Sequence, residues 1–303
     1  MKSAILKHLP NFLLEYLKRL KKLFRNRTLQ NQKNNKRGIS KDELKIQFQN
    51  AGIKNGDHLL VHCSLSKIGY INGGALTLIE ALLETIGTKG TLLMPAFPAT
   101  ARNKDFLESS PTFDLLNTSS QMGLTSEIFR KLPGVKRSFH PTDSICALGK
   151  EAEYFTNTHF GNVTPYNENS PFRKLCNKHG KILMLGTTLN GACTNLHTLE
   201  DAVDFKYPIY DEKIFNVKMI DDKGHCITMD TKVHNPIWSA KRNCDALKPI
   251  FEKEKVLTNS IIGEAKCMLI DADKMLQVMI DYYNRFGVTM YTPWGNKNQL
   301  EKK

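Results

Sequence analysis

Hydrophobic and polar positions alternate along this 303-residue chain in two different periods, which predict strands and helices in turn. Short apolar runs bounded by turn residues predict buried strands over 57–63, 90–95, 144–148, 181–185 and 266–271. Apolar residues spaced three and four apart predict helices over 40–52, 73–86, 121–132, 170–177, 194–205 and 272–286. Strands that alternate with helices predict an α/β fold in which helices cover a sheet.

Local signals add detail to this pattern. Ser40 with Glu43 forms a capping-box sequence for the first helix, and Pro171 occupies a first helical position. The turn sequence 221–224 separates two apolar runs, 213–220 and 225–229, and predicts a hairpin. We therefore predict a three-layer α/β/α fold whose central sheet is mixed.

The first 37 residues differ from the rest of the chain. They carry eleven Lys and Arg against one acid, Glu15, whereas the other 266 residues carry 32 basic and 29 acidic side chains. Their apolar positions have helical spacing: Leu6, Leu9, Leu13, Leu17, Leu20 and Phe24. We predict a basic amphipathic extension with linker over 1–37 and one domain over 38–303. The extension fits an anionic membrane surface or acidic partner, or a helix packed on the domain or a second subunit.

Composition excludes several classes of protein. With 41% hydrophobic and 24% charged residues, the chain has an ordinary globular composition, and its apolar runs are too short to cross a membrane. Nearly balanced charge on the body gives no reason to expect a nucleic-acid partner. Seven cysteines without a C-x-x-C pair argue against disulfides and a zinc site. We expect a cytoplasmic protein, peripheral to the inner membrane face under the membrane interpretation.

Several common catalytic signatures are missing from the sequence. It has no Walker loop, no G-x-G-x-x-G after a strand, no H-E-x-x-H and no G-x-S-x-G. The pyrophosphate loop R/Q-x-x-G-x-G/A of the common acetyltransferases is missing too. The sequence therefore gives no support for a P-loop, a Rossmann cofactor site or an α/β-hydrolase elbow.

Three other segments carry candidate chemistry. In 61–74 a strand leads into hydroxyls, glycines and a helix start, an arrangement that either binds phosphate or forms a plain polar turn. In 134–144 basic and hydroxyl side chains surround a proline, which fits an anion site or a well-bonded loop. In 186–201 an imidazole and carboxylates are spaced to share one helix face, as a general base requires. A hydrogen-bonded histidine–acid pair on the protein surface has the same spacing.

These segments resemble the aminoglycoside 3-N-acetyltransferase family, whose antibiotic acetyltransferase fold is distinct from the commoner acetyltransferase superfamily. The resemblance runs in order over about residues 40–290. Its matching stretches are 62–69 with Gly73-Gly74, 90–95, 122–130, 133–141, Ser170-Pro171, and Leu185-Gly186 followed by 194–200.

The resemblance implies transfer of an acetyl group from acetyl-CoA to an amine on an aminosugar, with no metal and no cysteine nucleophile. His197, oriented by a carboxylate, would be the general base, Thr194 would stabilise the oxyanion, and His140 is the second candidate base. The implied CoA residues are Ser64, Leu65, Ser66, Ile68, Gly69, Gly73 and Gly74, with Arg137 and Ser138 as helpers.

Several questions stay open at this stage. Glu200 matches the motif as the carboxylate partner of His197, but Asp201 and Asp230 also qualify. The near-neutral body suits an aminosugar of a nucleotide, lipid or surface-polysaccharide precursor better than a polycationic antibiotic. A catalytically inactive homologue that recruits a membrane or partner through its basic helix is the alternative. The sequence does not determine the oligomeric state, and a homo-oligomer is one of the states that it allows.

Overall fold

Two β-sheets and the helices around them make up the part of the chain that the structure describes, which is Gln30, 38–99 and 102–295 of a computed structural model. Apart from Gln30, the predicted basic extension lies outside these residues. The strands are β1 (His58–Cys63), β2 (Thr91–Pro95), β3 (Thr112–Asp114), β4 (Lys136–Arg137), β5 (Ile145–Gly149), β6 (Lys181–Leu185), β7 (Phe215–Ile220), β8 (Cys226–Thr231), β9 (Leu257–Ile262) and β10 (Ala265–Asp271).

The main sheet has seven strands in the order β4-β5-β2-β1-β6-β10-β9. Its centre is parallel, because β1 pairs in parallel with β2 on one side and with β6 on the other. The outer strands β5, β4, β10 and β9 are antiparallel to their neighbours. The three parallel strands are almost wholly buried, which is why they read as short apolar runs in the sequence.

Helices cover both faces of this sheet. The α-helices are α1 (Lys41–Asn50), α2 (Leu65–Ile68), α3 (Gly74–Ile86), α4 (Asn103–Glu108), α5 (Leu124–Arg130), α6 (Ala152–Thr156), α7 (Pro171–Asn177), α8 (Leu189–Ala192), α9 (Pro236–Ser239), α10 (Lys248–Lys253) and α11 (Ala272–Phe286). Two short 3₁₀ helices span Thr194–Leu199 and Cys244–Leu247.

The residues of each central strand point alternately to two cores. Leu59 and Val61 of β1 pack with α1, α3 and α5, whereas Leu60 between them faces the core formed with α6, α7, α10 and α11. Alternation of side chains along a strand produces this division. The predicted three-layer α/β/α architecture with a mixed central sheet is confirmed.

Several helix ends follow the sequence signals. Ser40 Oγ accepts from the Glu43 backbone N–H, and Glu43 Oε2 accepts from the Ser40 N–H at 2.7 Å. Helix α11 starts with Asp271 accepting from the Lys274 N–H and ends at Gly287, whose φ of 65° is left-handed. Such caps satisfy backbone groups that a helix end leaves unpaired.

Three local predictions need correction. The hairpin of β7 and β8 does not join the main sheet but forms a three-stranded sheet with β3, so the outer strands make the main sheet mixed. The segment 61–74, for which a polar turn was one interpretation, contains the one-turn helix α2. The helix predicted over 194–205 is a 3₁₀ helix that ends at Leu199.

Among the residues that the structure describes, no helix has the length and apolar character needed to span a membrane.

Candidate active site

The carboxyl ends of the parallel strands bring two of the candidate segments together. Cys63, the last residue of β1, lies opposite Leu185, the last residue of β6, and the Ser64 N–H donates to the Leu185 carbonyl at 2.9 Å. The segment after β1 therefore runs beside the segment after β6. Ligand sites of α/β sheets lie at this edge.

The 3₁₀ helix after β6 aligns three candidate side chains. In a 3₁₀ helix, residues three apart lie directly above one another, so Thr194, His197 and Glu200 form one ridge. The Glu200 N–H donates to the His197 carbonyl at 3.1 Å, and the side chains meet with Nδ1 of His197 2.8 Å from Oε1 of Glu200. Because a carboxylate only accepts, Nδ1 carries the hydrogen and Nε2 holds a lone pair.

Two more side chains bind Glu200. His234 donates from Nε2 to Oε2 at 2.7 Å, and the Tyr291 hydroxyl donates to Oε1 at 2.6 Å. The Glu200 side chain is 1% exposed, so these hydrogen bonds rather than water stabilise its negative charge. This carboxylate is therefore fixed in position and orients the His197 ring.

Burial and charge act in opposite directions on this pair. Burial lowers the pKa of His197 to about 4, although the Glu200 carboxylate partly raises it. Burial alone would raise the pKa of Glu200, but the His197 and His234 imidazoles hold it below its usual range. At neutral pH the arrangement is a neutral imidazole beside an ionised carboxylate.

Aromatic rings enclose the two imidazoles. The His197 and His234 ring centroids are 4.2 Å apart, and the Tyr166 ring stacks on His197 at 4.8 Å. On the other side, the Tyr210 ring stacks on His234 at 5.0 Å. These contacts fix the ring planes, so the direction of His197 Nε2 is defined by packing.

Arg242 contacts the Nε2 nitrogen of the His197 imidazole. Its guanidinium Nη1 lies 3.2 Å from His197 Nε2, and its Nε donates to the Ser239 carbonyl at 3.2 Å. A guanidinium only donates hydrogen bonds, so this contact also requires a lone pair on Nε2.

The other two candidate carboxylates point elsewhere. Asp201 lies 3.4 Å from the Tyr210 hydroxyl through both of its oxygens, and burial raises its pKa. Asp230 lies on β8, is exposed and accepts from Asn216 at 2.8 Å. By position, the partner of His197 is Glu200.

In the described part of the chain, the side chains of His197, Glu200 and His234 form the group whose geometry is nearest to that of a metal site. One ligand atom from each of His197, Glu200 and His234 lies within 4.8 Å of the others. Both imidazole nitrogens in question already donate to the carboxylate, and the Arg242 guanidinium adjoins the group. These hydrogen bonds account for the cluster without a cation.

With this geometry in place, comparison with known proteins identifies the family. The family model described as aminoglycoside 3-N-acetyltransferase matches residues 60–284. The chain belongs to the aminoglycoside 3-N-acetyltransferase family. The resemblance seen in the sequence and the prediction of a transferase are thereby confirmed.

Individual relatives support this assignment. The prophage-derived aminoglycoside N(3')-acetyltransferase-like protein YokD of Bacillus subtilis (strain 168) is 30% identical over 256 residues, which cover 76% of this chain and 87% of YokD. The solved structure of AAC-IIIb in a binary complex with CoASH has a TM-score of 0.69 and 26% identity, covering 82% of this chain and 97% of that one. A crystal structure of a mutant of aminoglycoside acetyltransferase AAC(3)-IVa with a gentamicin has a TM-score of 0.67 and 25% identity, covering 82% and 89%.

The remaining candidate residues of this family member lie in two segments, 64–74 and 134–144. Ser64 and Leu65 are half-buried, Ser66 is exposed, and Ile68 and Gly69 are buried in the segment after β1. Gly73 and Gly74 both have left-handed φ values, 81° and 68°, at the start of the 13-residue helix α3. The segment therefore places a helix N-terminus, where backbone N–H groups favour anions, shortly after the carboxyl end of β1.

Arg137 and Ser138 are used inside the fold. The Arg137 guanidinium donates to three backbone carbonyls and, from Nε, to Ser144 Oγ at 3.1 Å. Ser138 is fully buried, accepts from the Ile145 N–H and lies 2.9 Å from Nδ1 of His159. Because both side chains are engaged here, we do not include them in the CoA site proposed below.

His140 is also buried, with 0% exposure. Its Nδ1 accepts from the backbone N–H groups of Thr142 and Asp143 at 3.3 and 3.2 Å, and its ring stacks on His159 at 4.5 Å. Burial lowers its pKa well below the ordinary value. Its position is that of a ring bonded within the loop, the second interpretation of the segment 134–144.

Thr194 and the nearby cysteines complete the site. Thr194 is half-buried, and its Oγ1 has no hydrogen-bond partner in the described part of the chain. Burial raises the pKa of the Cys63 thiol to about 12 and raises that of Cys193 as well. Protonated thiols are poor nucleophiles, in agreement with a reaction that does not use cysteine.

Three contributors were not predicted from the sequence, namely His234, Arg242 and Tyr291. His234 lies 34 positions and Tyr291 lies 91 positions from Glu200, and Arg242 lies 45 positions from His197. No local spacing in the sequence therefore connects these three residues to the site. His234 belongs to an extended His-Asn-Pro segment, and Tyr291 lies near the end of the chain. Neither lies in a periodic apolar pattern that would predict its position.

Proposed function

We propose that this protein is an acetyl-CoA-dependent N-acetyltransferase that acts on an amino group of an aminosugar. One observation carries the proposal: the neutral His197 imidazole is bonded through Nδ1 to the buried Glu200 carboxylate, which leaves a lone pair on Nε2. Relatives that bind CoASH and a gentamicin supply the two substrate classes.

The reaction follows from the roles of this pair. The unprotonated amine of the acceptor attacks the thioester carbonyl carbon of acetyl-CoA while His197 Nε2 accepts the amine proton. Glu200 stabilises the imidazolium that forms. The tetrahedral intermediate then collapses, the carbon–sulfur bond breaks, and the CoA thiolate receives the proton from the imidazolium. The acetyl group passes directly to nitrogen in a ternary complex.

The two remaining roles rest on position. The unpartnered hydroxyl of Thr194, one 3₁₀ turn before His197, would donate to the oxyanion of the intermediate. The segment 64–74 would receive the CoA phosphates at the N-terminus of α3, where backbone N–H groups and the helix dipole favour negative charge.

Release of CoA is the direct test of this function. Wild-type protein is incubated with acetyl-CoA and a panel of aminosugars and aminoglycosides, and free thiol is measured with time. Acetyl-CoA binding is measured in parallel by calorimetry. Release with at least one amine acceptor supports the proposal, and binding of acetyl-CoA without release from any acceptor contradicts it.

Gly73→Val tests the location of the CoA site. We expect acetyl-CoA affinity to fall about tenfold or more, about 1.4 kcal/mol, because a side chain blocks close approach of phosphate to the backbone. A Cβ here would also contact Thr77 Oγ1 at 2.2 Å, so the melting temperature is measured too. Gly224→Val is the matched control, since Gly224 has a similar φ of 83° in open space. Unchanged affinity in a folded Gly73 variant would contradict the site.

Two acceptor classes follow from different observations. The family's aminoglycoside acceptors favour an antibiotic, which would make the protein a resistance enzyme. The near-neutral charge of residues 38–303 favours an aminosugar of a surface-polysaccharide precursor. The acceptor panel separates them by relative kcat/KM.

The second candidate function concerns the basic extension. Its eleven basic residues favour recruitment of the protein to an anionic membrane, a function that does not depend on catalysis. Deleting residues 1–37 should abolish cosedimentation with anionic vesicles and leave turnover on a soluble acceptor intact. The wild-type cosedimentation should weaken as salt rises from about 0.05 M to about 0.5 M, because salt screens exposed charges. Loss of folding or of oligomeric state after deletion would identify the extension as a packing surface instead.

A further inference from the structure

Arg242 stands at the point where an acceptor amine must arrive. In the proposed reaction the amine approaches His197 Nε2, and this nitrogen is the one that Arg242 Nη1 contacts at 3.2 Å. The amine therefore has to displace the guanidinium from Nε2. Arg242 is half-buried and follows the short helix α9, so the side chain has solvent on one side into which it can turn.

The charge of Arg242 has no carboxylate partner. Over 38–99 and 102–295, no Asp or Glu oxygen lies within 4 Å of its guanidinium, whereas other cations such as Lys104 and Lys181 are paired at 2.7 Å with Asp211 and Asp57. Its own hydrogen bonds go to a backbone carbonyl and an imidazole, both neutral. A cation without a carboxylate in contact attracts an anion from solution.

The carboxyl groups around the site do not contact this guanidinium in the described part of the chain. The Glu200 carboxylate is separated from it by the His197 ring, which Glu200 contacts at Nδ1 and Arg242 at Nε2. Asp143 is buried against the Tyr166 hydroxyl at 2.8 Å, and Asp201 lies against Tyr210. Burial raises the pKa of both aspartates, although the Arg242 charge lowers that of Asp143.

A second cation lies on the same segment. The Lys241 ammonium sits 4.1 Å from the centroid of the Trp238 ring, and that ring meets Tyr291 edge-on at 5.8 Å. Tyr291 is the residue whose hydroxyl binds Glu200. The stretch 238–242 thus borders the site with two positive charges and no negative ones.

We propose that Arg242 is a specificity-determining residue of the acceptor site and that it selects aminosugars with a phosphate or carboxylate group near the reacting amine. The inference rests on the proposed acetyl transfer. On displacement from Nε2, the planar guanidinium binds such an anion through paired hydrogen bonds. A polycationic acceptor instead brings further positive charge towards it and binds less well.

The test compares acceptors that differ in charge. We measure kcat/KM for glucosamine, glucosamine 6-phosphate, muramic acid and gentamicin with the wild-type protein and with Arg242→Gln, Arg242→Lys and Arg242→Glu. Glucosamine 6-phosphate reports phosphate recognition and muramic acid reports carboxylate recognition. Ratios between acceptors are compared, because any change in the strength of the shared base cancels in them.

We expect the wild type to prefer at least one anionic acceptor over glucosamine by about tenfold or more. Arg242→Gln should remove most of that preference, Arg242→Lys should keep part of it, and Arg242→Glu should favour gentamicin. Arg285→Gln is the matched control, because Arg285 is exposed on α11 and paired with Asp281, and it should leave the ratios unchanged.

Three results would overturn the inference while leaving the proposed function intact. They are a wild type without preference for an anionic acceptor, ratios that are the same in Arg242→Gln, and an Arg242→Gln effect confined to the KM of acetyl-CoA. The last of these would assign the guanidinium to the cofactor. Failure of the wild type to release CoA with any amine would overturn the proposed function, and the inference with it.

Discussion

The described part of the chain contains two pairs of histidines in close ring contact, and only one of them has the arrangement of a general base. The His197 and His234 rings lie 4.2 Å apart at an angle of 31° and share the Glu200 carboxylate. His140 and His159 stack at 4.5 Å and are held by neutral groups, among them two backbone N–H groups and the Pro165 carbonyl. All four rings are wholly or largely buried.

The difference lies in what each pair can do with a proton. A proton accepted by His197 Nε2 places an imidazolium beside an ionised carboxylate, which stabilises it. A proton on His140 or His159 would be a buried charge without a counter-ion in contact, which is costly. Burial lowers the pKa of all three rings, and a carboxylate offsets it only in part for His197, whereas His140 and His159 have only backbone groups that act in this direction.

The two pairs are connected through one tyrosine. The Tyr166 ring stacks on His197, and its hydroxyl donates to Asp143, whose N–H donates to His140. The interior pair therefore supports the position of Tyr166. This gives His140 and His159 an indirect, structural relation to the site.

The largest effect should separate the pairs by activity. We expect His197→Ala to lower kcat by about 10²–10⁴-fold, because the base that removes the amine proton is lost, while acetyl-CoA affinity barely changes. His140→Asn keeps an acceptor near Nδ1 and should leave kcat within about threefold. Steady-state kinetics with one acceptor and calorimetry with acetyl-CoA check both. Near-normal turnover in His197→Ala, with loss in His140→Asn, would reverse the roles.

The sequence indicated that His197 and Glu200 lie together but not which other groups hold this pair. His197 and Glu200 were found because three-residue spacing places them on one face, in an α-helix or a 3₁₀ helix. The α-helix assumption also admitted Asp201, and only the 3₁₀ geometry favours Glu200 by position.

The rest depends on tertiary structure. His234 and Tyr291 reach Glu200 from distant parts of the chain, so their contribution follows from the fold alone. Strand β9 was missed because it is an edge strand in which polar residues such as Thr258 and Asn259 interrupt the apolar run. Helix α11, by contrast, was predicted with its observed bounds, because its amphipathic pattern has clear signals at both ends.

The next effect should separate the pairs by stability. Burial lowers the pKa of His159 to about 3 in the folded protein, whereas in the unfolded chain it is near 6.5. As pH falls below about 6.5, the unfolded chain binds the proton first, so stability decreases. Between pH 6.5 and 4.5 this ring alone should cost about 2 kcal/mol of unfolding free energy.

Urea unfolding at several pH values measures this dependence. Between pH 6.5 and 4.5 the unfolding free energy of His159→Gln should fall by about 2 kcal/mol less than that of the wild type, whatever the stability of the variant at neutral pH. His225→Gln, which alters an exposed histidine in the β7–β8 turn, should follow the wild-type dependence. Identical slopes in His159→Gln and the wild type would show that the interior ring is not buried in its neutral form.

The smallest effect should come from the carboxylate that distinguishes the catalytic pair. Glu200→Gln preserves an acceptor for the His197 Nδ1–H but removes the charge that stabilises the imidazolium, so we expect kcat to fall by about 10–10²-fold, less than in His197→Ala. Because Glu200 acts through the imidazole, KM for acetyl-CoA should stay constant. The control Asp201→Asn alters a carboxylate bonded to Tyr210 and should change kcat by less than about threefold. An inactive Asp201→Asn beside a fully active Glu200→Gln would assign the orienting carboxylate to Asp201 and remove the basis on which the two histidine pairs are distinguished.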